Sequence, residues 1–276
     1  MKKFKVGIQL YSVRDHMEKD MDATLKAVSE MGYECVEFAG YFDHTAEDVK
    51  AMLDKYGLEA VSVHQGIDLF LKEGDEAARY IKTLGVKYCA IPWINVDNFK
   101  DEALYQQFLK NIREVSTLLK KYDIQLCYHN HDFEFGKKDG MYYLDRLYSD
   151  TTPDELLTEI DTCWVHYAGE NPSKYLEKYA GRAEIVHLKD FDCKNLAAGP
   201  VYALIDEDGK EMKDDKEEKG FEFRPVGSGR QDVKAILESA EKAGADYVIV
   251  EQDGHPDNDS LVDAKISIDY LKTLGQ

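Results

Sequence analysis

The chain has 276 residues, 43% of them hydrophobic and 32% charged, and a formal net charge of −19 at neutral pH. That apolar content is too high for a disordered chain, and the length suits one substantial core. The charge repels nucleic acid and anionic membrane surfaces, and the longest basic cluster, Lys137-Lys138, is too short to offset it, so neither is expected as a partner. Met1-Lys2-Lys3-Phe4 leads straight into a strand-like run with no apolar stretch of signal-peptide or membrane-span length, so a cytoplasmic protein is expected. Cys35, Cys89, Cys127, Cys163 and Cys193 form no CxxC pair, and several lie in apolar runs, the pattern of buried reduced thiols.

Short apolar or β-branched runs alternate with segments of helical period, which predicts a parallel sheet covered by helices. In chain order, strand Lys5–Leu10 precedes helix Asp22–Met31, which stops before Gly32. Strand Glu34–Phe38 precedes helix Ala46–Tyr56, with Thr45 as cap, Asp48 at the third helical position and Gly57 beyond its end. Strand Glu59–His64 leads to helix Gly74–Leu84, Lys87–Pro92 to Glu102–Lys121, and Gln125–His131 to a helix near Tyr142–Tyr148. Strand Leu156–Thr162 leads to helix Pro172–Tyr179, capped by Asn171, then Glu184–Lys189 to Asp232–Ala243, and Tyr247–Glu251 to Ser260–Leu274. Eight units favour closure, so the fold class is α/β, a (β/α)8 TIM barrel forming a single domain over residues 1–276.

One segment breaks the alternation. Phe191–Phe223 is too long for an ordinary strand-to-helix connection, and Asp208-Gly209 lies between Tyr202–Ile205 and Lys210–Met212, the pattern of a β-hairpin insertion after strand 7. It would stand on the face where barrel enzymes build their sites, as a lid, an oligomer contact or a solvated loop.

Polar residues collect at the C-terminal strand ends, where a carboxylate or imidazole is costly to bury without a partner. The fifth strand carries His129 and His131 on one face by the two-residue period, with Glu134 just past its end. Asp161 ends the sixth strand and His166 follows; His187 and Lys189 share a face of the seventh; Glu251 ends the eighth. Oxygen donors with one or two imidazoles suit one divalent ion, Mn²⁺, Mg²⁺, Co²⁺ or Zn²⁺. Earlier strands offer Gln9, Glu37, His64 and Trp93 as pocket-lining residues, the indole as a surface for a sugar ring. Gly227-Ser228-Gly229-Arg230 lacks the spacing of a nucleotide loop, so no nucleotide cofactor is expected, although its N–H groups have the disposition to hold an anion such as phosphate.

Gly7-Ile8-Gln9-Leu10-Tyr11-Ser12-Val13-Arg14, Gly32-Tyr33-Glu34-Cys35-Val36-Glu37, Tyr128–Phe135, Asp161-Thr162, His187-Leu188-Lys189-Asp190 and Pro225–Gly229 resemble the xylose isomerase-like TIM barrel superfamily along the whole chain. That superfamily includes sugar-phosphate isomerases and epimerases, inosose and dehydroshikimate dehydratases, and a DNA-repair endonuclease that the charge here disfavours. The resemblance implies a metal held by Asp161, His187 and Glu251, with Glu134 as fourth ligand and His129 as the alternative, because His129 stands where the family usually has a strand-five glutamate. It also implies substrate contact by His166 and a functional role for Lys189.

These residues suggest an isomerase or epimerase acting on a sugar or keto-sugar: the metal polarises a carbonyl and its neighbouring hydroxyl, a base removes a proton, and an enediolate is reprotonated. His129, His131 and Lys189 are the candidate bases, and Glu251 has the chemistry to serve as ligand and base in turn. The alternatives are a lyase or dehydratase acting on a 3-keto sugar or its glycoside, and a barrel that binds a sugar without turning it over. Family members are often oligomeric, so a homo-oligomer is compatible with the resemblance.

Overall fold

In the computed structural model, which describes residues 2–197 and 220–276, eight parallel strands close into a barrel. They are β1 (Lys5–Gln9), β2 (Cys35–Phe38), β3 (Glu59–His64), β4 (Tyr88–Ile91), β5 (Gln125–His129), β6 (Leu157–Asp161), β7 (Ile185–Leu188) and β8 (Tyr247–Val250). Each pairs with its sequence neighbours, and the register from Lys5↔Tyr247 to Ile8↔Val250 joins β8 to β1.

Alternating side chains divide the strands between two cores. Outward residues such as Val36, Val63, Leu126, Val186 and Val248 join the helices in one large cluster. Inward residues Cys35, Val61, Tyr88, Ala90, Cys127, Leu157, Ile185, Tyr247 and Ile249 pack against one another inside the barrel. Gly7 belongs to this crowded interior: a Cβ there would come within 2.6 Å of Ile249 Cδ1 and 3.1 Å of the Cys35 carbonyl oxygen. Two residues further along several strands the inward side chain becomes polar: Gln9, Glu37, His129, Glu159, His187 and Glu251, each buried. The apolar layers carry stability, while the polar layer incurs a burial cost that needs a compensating interaction.

The expected helices form with the expected caps. Thr45 Oγ1 accepts from Asp48 N (3.2 Å), Asn171 Oδ1 accepts from Lys174 N (3.0 Å), and Gly57 follows its helix with φ 68°. Pro172–Lys178, Val233–Ala243 and Ser260–Thr273 match within a residue or so, and Tyr143–Ser149 is the helix expected near Tyr142–Tyr148. The short helices Arg14–Met17, Ile67–Glu73, Asp97–Lys100 and Thr162–Tyr167 were not foreseen. Each is under two turns or barely so, too short for a periodic signal.

At the root of the long connection, Asp190–Asp192 pairs antiparallel with Glu222–Arg224. Trp164, Tyr167, Phe191, Phe221 and Phe223 pack there as a separate aromatic cluster with Cys163 and Cys193. The hairpin tip expected at Asp208-Gly209 lies outside the described residues. All five cysteines are buried and free. Among the described residues no helix is long and apolar enough to cross a membrane.

Candidate metal and active site

Strand β5 ends at His129, two residues earlier than expected, because Asn130 turns its side chain onto β6. Its Oδ1 accepts from Asp161 N (3.0 Å) and its Nδ2 donates to Asp161 O (3.3 Å), replacing the strand ladder. His131 therefore leaves the strand, so the two-residue period no longer relates it to His129; its ring still lies 5.1 Å from that of His129, parallel to Phe133 and 6.0 Å from Trp164.

Asp161 divides its carboxylate between two tasks. Oδ1 caps the following helix, accepting from Cys163 N (2.8 Å) and Trp164 N (3.4 Å), which locks the side chain. Oδ2 faces the barrel axis, 3.0 Å from Lys189 Nζ and 3.7 Å from His129 Nε2. Glu251 Oε2 meets His187 Nδ1 (2.9 Å), Lys189 Nζ (2.9 Å) and His129 Nε2 (3.8 Å). One ligand atom from each of His129, Asp161, His187 and Glu251 lies within 4.8 Å of the others, the span of a first coordination shell.

A second group sits deeper. Glu159, two residues before Asp161 on the same strand face, places Oε2 2.7 Å from His64 Nε2, 3.3 Å from His129 Nδ1 and 3.5 Å from His187 Nε2. Glu37 Oε1 lies 3.0 Å from His64 Nε2 and 2.9 Å from His187 Nε2, and accepts from Gln9 Nε2 (2.7 Å). Glu159 was missed in the sequence; its two-residue spacing from Asp161 was the available signal.

Glu134, expected as the fourth ligand, stands apart. It belongs to a 3-10 turn, Phe133–Phe135, and its carboxylate folds back to accept from Tyr128 Oη (2.6 Å) and His131 N (2.8 Å). Tyr128 packs in the outer core, so Glu134 lies on the helix side of the strand, and burial raises its pKa to about 8. His129 occupies the place in the group.

Five carboxylates, Glu37, Glu159, Asp161, Glu251 and Asp253, surround one lysine and three imidazoles. Lys189 is buried yet held well above the usual lysine range, since Asp161, Asp253 and Glu251 outweigh its desolvation. This holds Lys189 as a cation, against its expected place among the candidate bases. His129 is pushed well below the ordinary imidazole value by burial and then by repulsion from His187, His64, His131 and Lys189, which keeps it neutral. Burial followed by repulsion from Lys189 does the same to His131. Burial lifts Asp161 to about 6 and, with Glu37 beside it, Glu159 to about 7. Among the described residues Glu37 Oε2 and Glu159 Oε1 are buried with no hydrogen-bond partner, and Asp161 Oδ2 has only the Lys189 ammonium beside it. Partnerless carboxylate oxygens and an excess of negative charge, in which Glu37 and Glu159 outweigh burial and push His187 well above the ordinary imidazole range, are what a divalent cation would relieve.

The remaining expected residues spread around the mouth. Gln9 is fully buried and caps the next turn, accepting from Tyr11 N (2.9 Å). Trp93 is half-buried against the outer core. His166 Nδ1 bonds Gln231 Oε1 (2.7 Å), and Gln231 Nε2 donates to Lys189 O (3.2 Å). The Gly227–Gly229 turn does cradle an anion, but the anion is Asp190: Gly227 N and Gly229 N donate to its Oδ2 (3.0 Å each) and Gln231 N to its Oδ1 (3.1 Å). The phosphate reading of this turn is thereby corrected.

The model of the xylose isomerase-like TIM barrel family matches residues 25–274, and the chain belongs to that family. The inosose dehydratase of Geobacillus kaustophilus is 25% identical over 221 residues, covering 68% of this chain and 69% of that protein. The crystal structure of a sugar phosphate isomerase/epimerase from Parabacteroides distasonis gives a TM-score of 0.75 at 22% identity, covering 99% of this chain and 94% of that one. The IOLI protein with a binding zinc atom gives 0.68 at 15% identity, covering 98% and 97%.

Proposed function

We propose that this chain is a divalent-metal-dependent enzyme of the sugar isomerase/epimerase kind, acting on a sugar or keto-sugar by moving a proton next to a carbonyl. The observation that carries it is the convergence of His129, Asp161, His187 and Glu251, from four adjacent strands, on one point at the barrel's C-terminal mouth. These four side chains hold the ion, and Glu134 does not take part. When bound, a divalent ion there polarises a carbonyl oxygen and so acidifies the neighbouring C–H.

The chain's own residues do the rest. His131, whose ring lies 5.1 Å from that of the ligand His129, is the group assigned to take the proton. Lys189, fixed as a cation beside three carboxylates, donates to the oxygen on which charge develops. Trp93 and His166 border the mouth and are assigned to the sugar.

A dehydratase or lyase is the second reading, favoured by Lys189. An ammonium 2.9 Å from the Glu251 carboxylate is suited to protonate a departing hydroxyl of a substrate bound there, and the Geobacillus relative is named for a dehydration. Incubating the metal-loaded protein in D2O with a panel of keto-sugars and inososes tests both readings. Chelator-sensitive deuterium uptake beside the carbonyl is expected, without loss of water for the isomerase and with it for the dehydratase. Sugar binding with no uptake for any member of the panel would sink both.

Glu134 supplies a separate check. Glu134→Gln should keep the wild-type metal affinity within about twofold, while Glu134→Ala should lower unfolding stability by about 2–4 kcal/mol, because it strands the Tyr128 hydroxyl and the His131 N–H in the core. A Gln variant that loses the ion would return Glu134 to the ligand set.

A further inference from the structure

We propose that Glu37, Glu159 and His64 form a buried outer layer that fixes the tautomer and orientation of the two histidine ligands, His129 and His187. The inference rests on the metal reading above and concerns the ring nitrogens that face away from the ion.

His129 and His187 each present one nitrogen to each group. His129 Nε2 faces Asp161 and Glu251, while its Nδ1 lies 3.3 Å from Glu159. His187 is turned the other way, with Nδ1 at Glu251 and Nε2 2.9 Å from Glu37. A neutral imidazole that ligates through one nitrogen carries its proton on the other and needs an acceptor there. A carboxylate oxygen stands near both, 3.3 Å from His129 Nδ1 and 2.9 Å from His187 Nε2, in contacts not aligned as hydrogen bonds.

His64 joins the two carboxylates. Its Nε2 hydrogen-bonds Glu159 at 2.7 Å and lies 3.0 Å from Glu37, which also accepts from Gln9 Nε2. Its ring is stacked on that of His187, 5.3 Å between centroids and 8° between planes, and lies 4.7 Å from that of His129. All three imidazoles are thus braced against one pair of carboxylates that solvent does not reach.

The rival use of the same atoms is a second ion, since His64, His129, Glu159 and His187 also bring ligand atoms within 4.8 Å of one another. Two ions at once would need both His129 and His187 to bridge, each stripped of both ring protons. Neutral imidazole has one donor and one acceptor nitrogen, so one ion leaves each of the two ligand rings a proton for the carboxylate behind it and two ions do not. The layer also predicts opposite tautomers: Nδ1–H in His129 and Nε2–H in His187.

Zn²⁺ titration against a chromophoric chelator, with long-range ¹H–¹⁵N spectra of the Zn²⁺-loaded protein, tests this. Wild type should bind one ion, Glu159→Gln and Glu37→Gln should bind one ion about 10- to 100-fold more weakly, and the spectra should show the two opposite tautomers. Undiminished affinity in both variants, the reverse tautomers, or two ions in wild type falling to one in Glu159→Gln would each overturn the outer layer while leaving a metal site in place. A wild type that binds no Zn²⁺ removes the metal reading and this inference together. Should either variant fail to fold, the wild-type spectrum decides alone.

Discussion

Lys189→Met is expected to have the largest combined effect of any single change: less stable without metal, tighter for metal, and nearly inactive. The ammonium lies 2.9–3.1 Å from Glu251, Asp161 and Asp253 in a buried setting, 5.3 Å from the Trp164 ring. Removing one partner of a buried ion pair typically costs about 3–5 kcal/mol, because the remaining charge is uncompensated. A divalent ion supplies that compensation, so denaturant unfolding with and without Zn²⁺ should show a wider gap in the variant than in wild type. Proton exchange on the substrate should fall roughly 10²- to 10⁴-fold, the range for loss of a positioned proton donor. A metal-free variant as stable as wild type would mean that Lys189 is not the counter-ion of the mouth.

The second large effect is the stability conferred by the ion. A ligand that binds only the folded chain stabilises it by about 4 kcal/mol at roughly a thousand times its Kd, which for a chain of this size raises Tm by about 10 °C. Thermal unfolding of chelator-treated wild type before and after adding Zn²⁺ or Mn²⁺ should show that shift. Asp161→Ala should show none, and it should also melt earlier without metal, because its Oδ1 caps the helix Thr162–Tyr167. A shift of equal size in Asp161→Ala would place the ion elsewhere.

The barrel was legible because its determinants are local. Strand and helix periods, Thr45 and Asn171 as caps, and Gly57 beyond its helix each act within a few residues, and they agree with one another. Asp161, His187, Lys189 and Glu251 were legible because residues at the ends of adjacent parallel strands meet at the mouth.

What escaped the sequence is long-range. The end of β5 is set by Asn130 bonding to β6, 31 residues away, and Glu134, expected just past the strand end as a ligand, instead folds back onto the Tyr128 hydroxyl and His131 N. The anion in the Gly227–Gly229 turn is a carboxylate 37 residues earlier in the chain. Glu159 passed unnoticed because a strand carboxylate reads as an ordinary ion-pair partner until Glu37 and His64, from the other side of the barrel, are seen beside it.

The most direct measurement is the metal content of wild-type protein purified without chelator and equilibrated with Zn²⁺ or Mn²⁺, set beside that of Asp161→Ala. One ion per chain in wild type and none in the variant is the expected result. No ion in wild type, or one retained undiminished in Asp161→Ala, would contradict a metal centre built from His129, Asp161, His187 and Glu251.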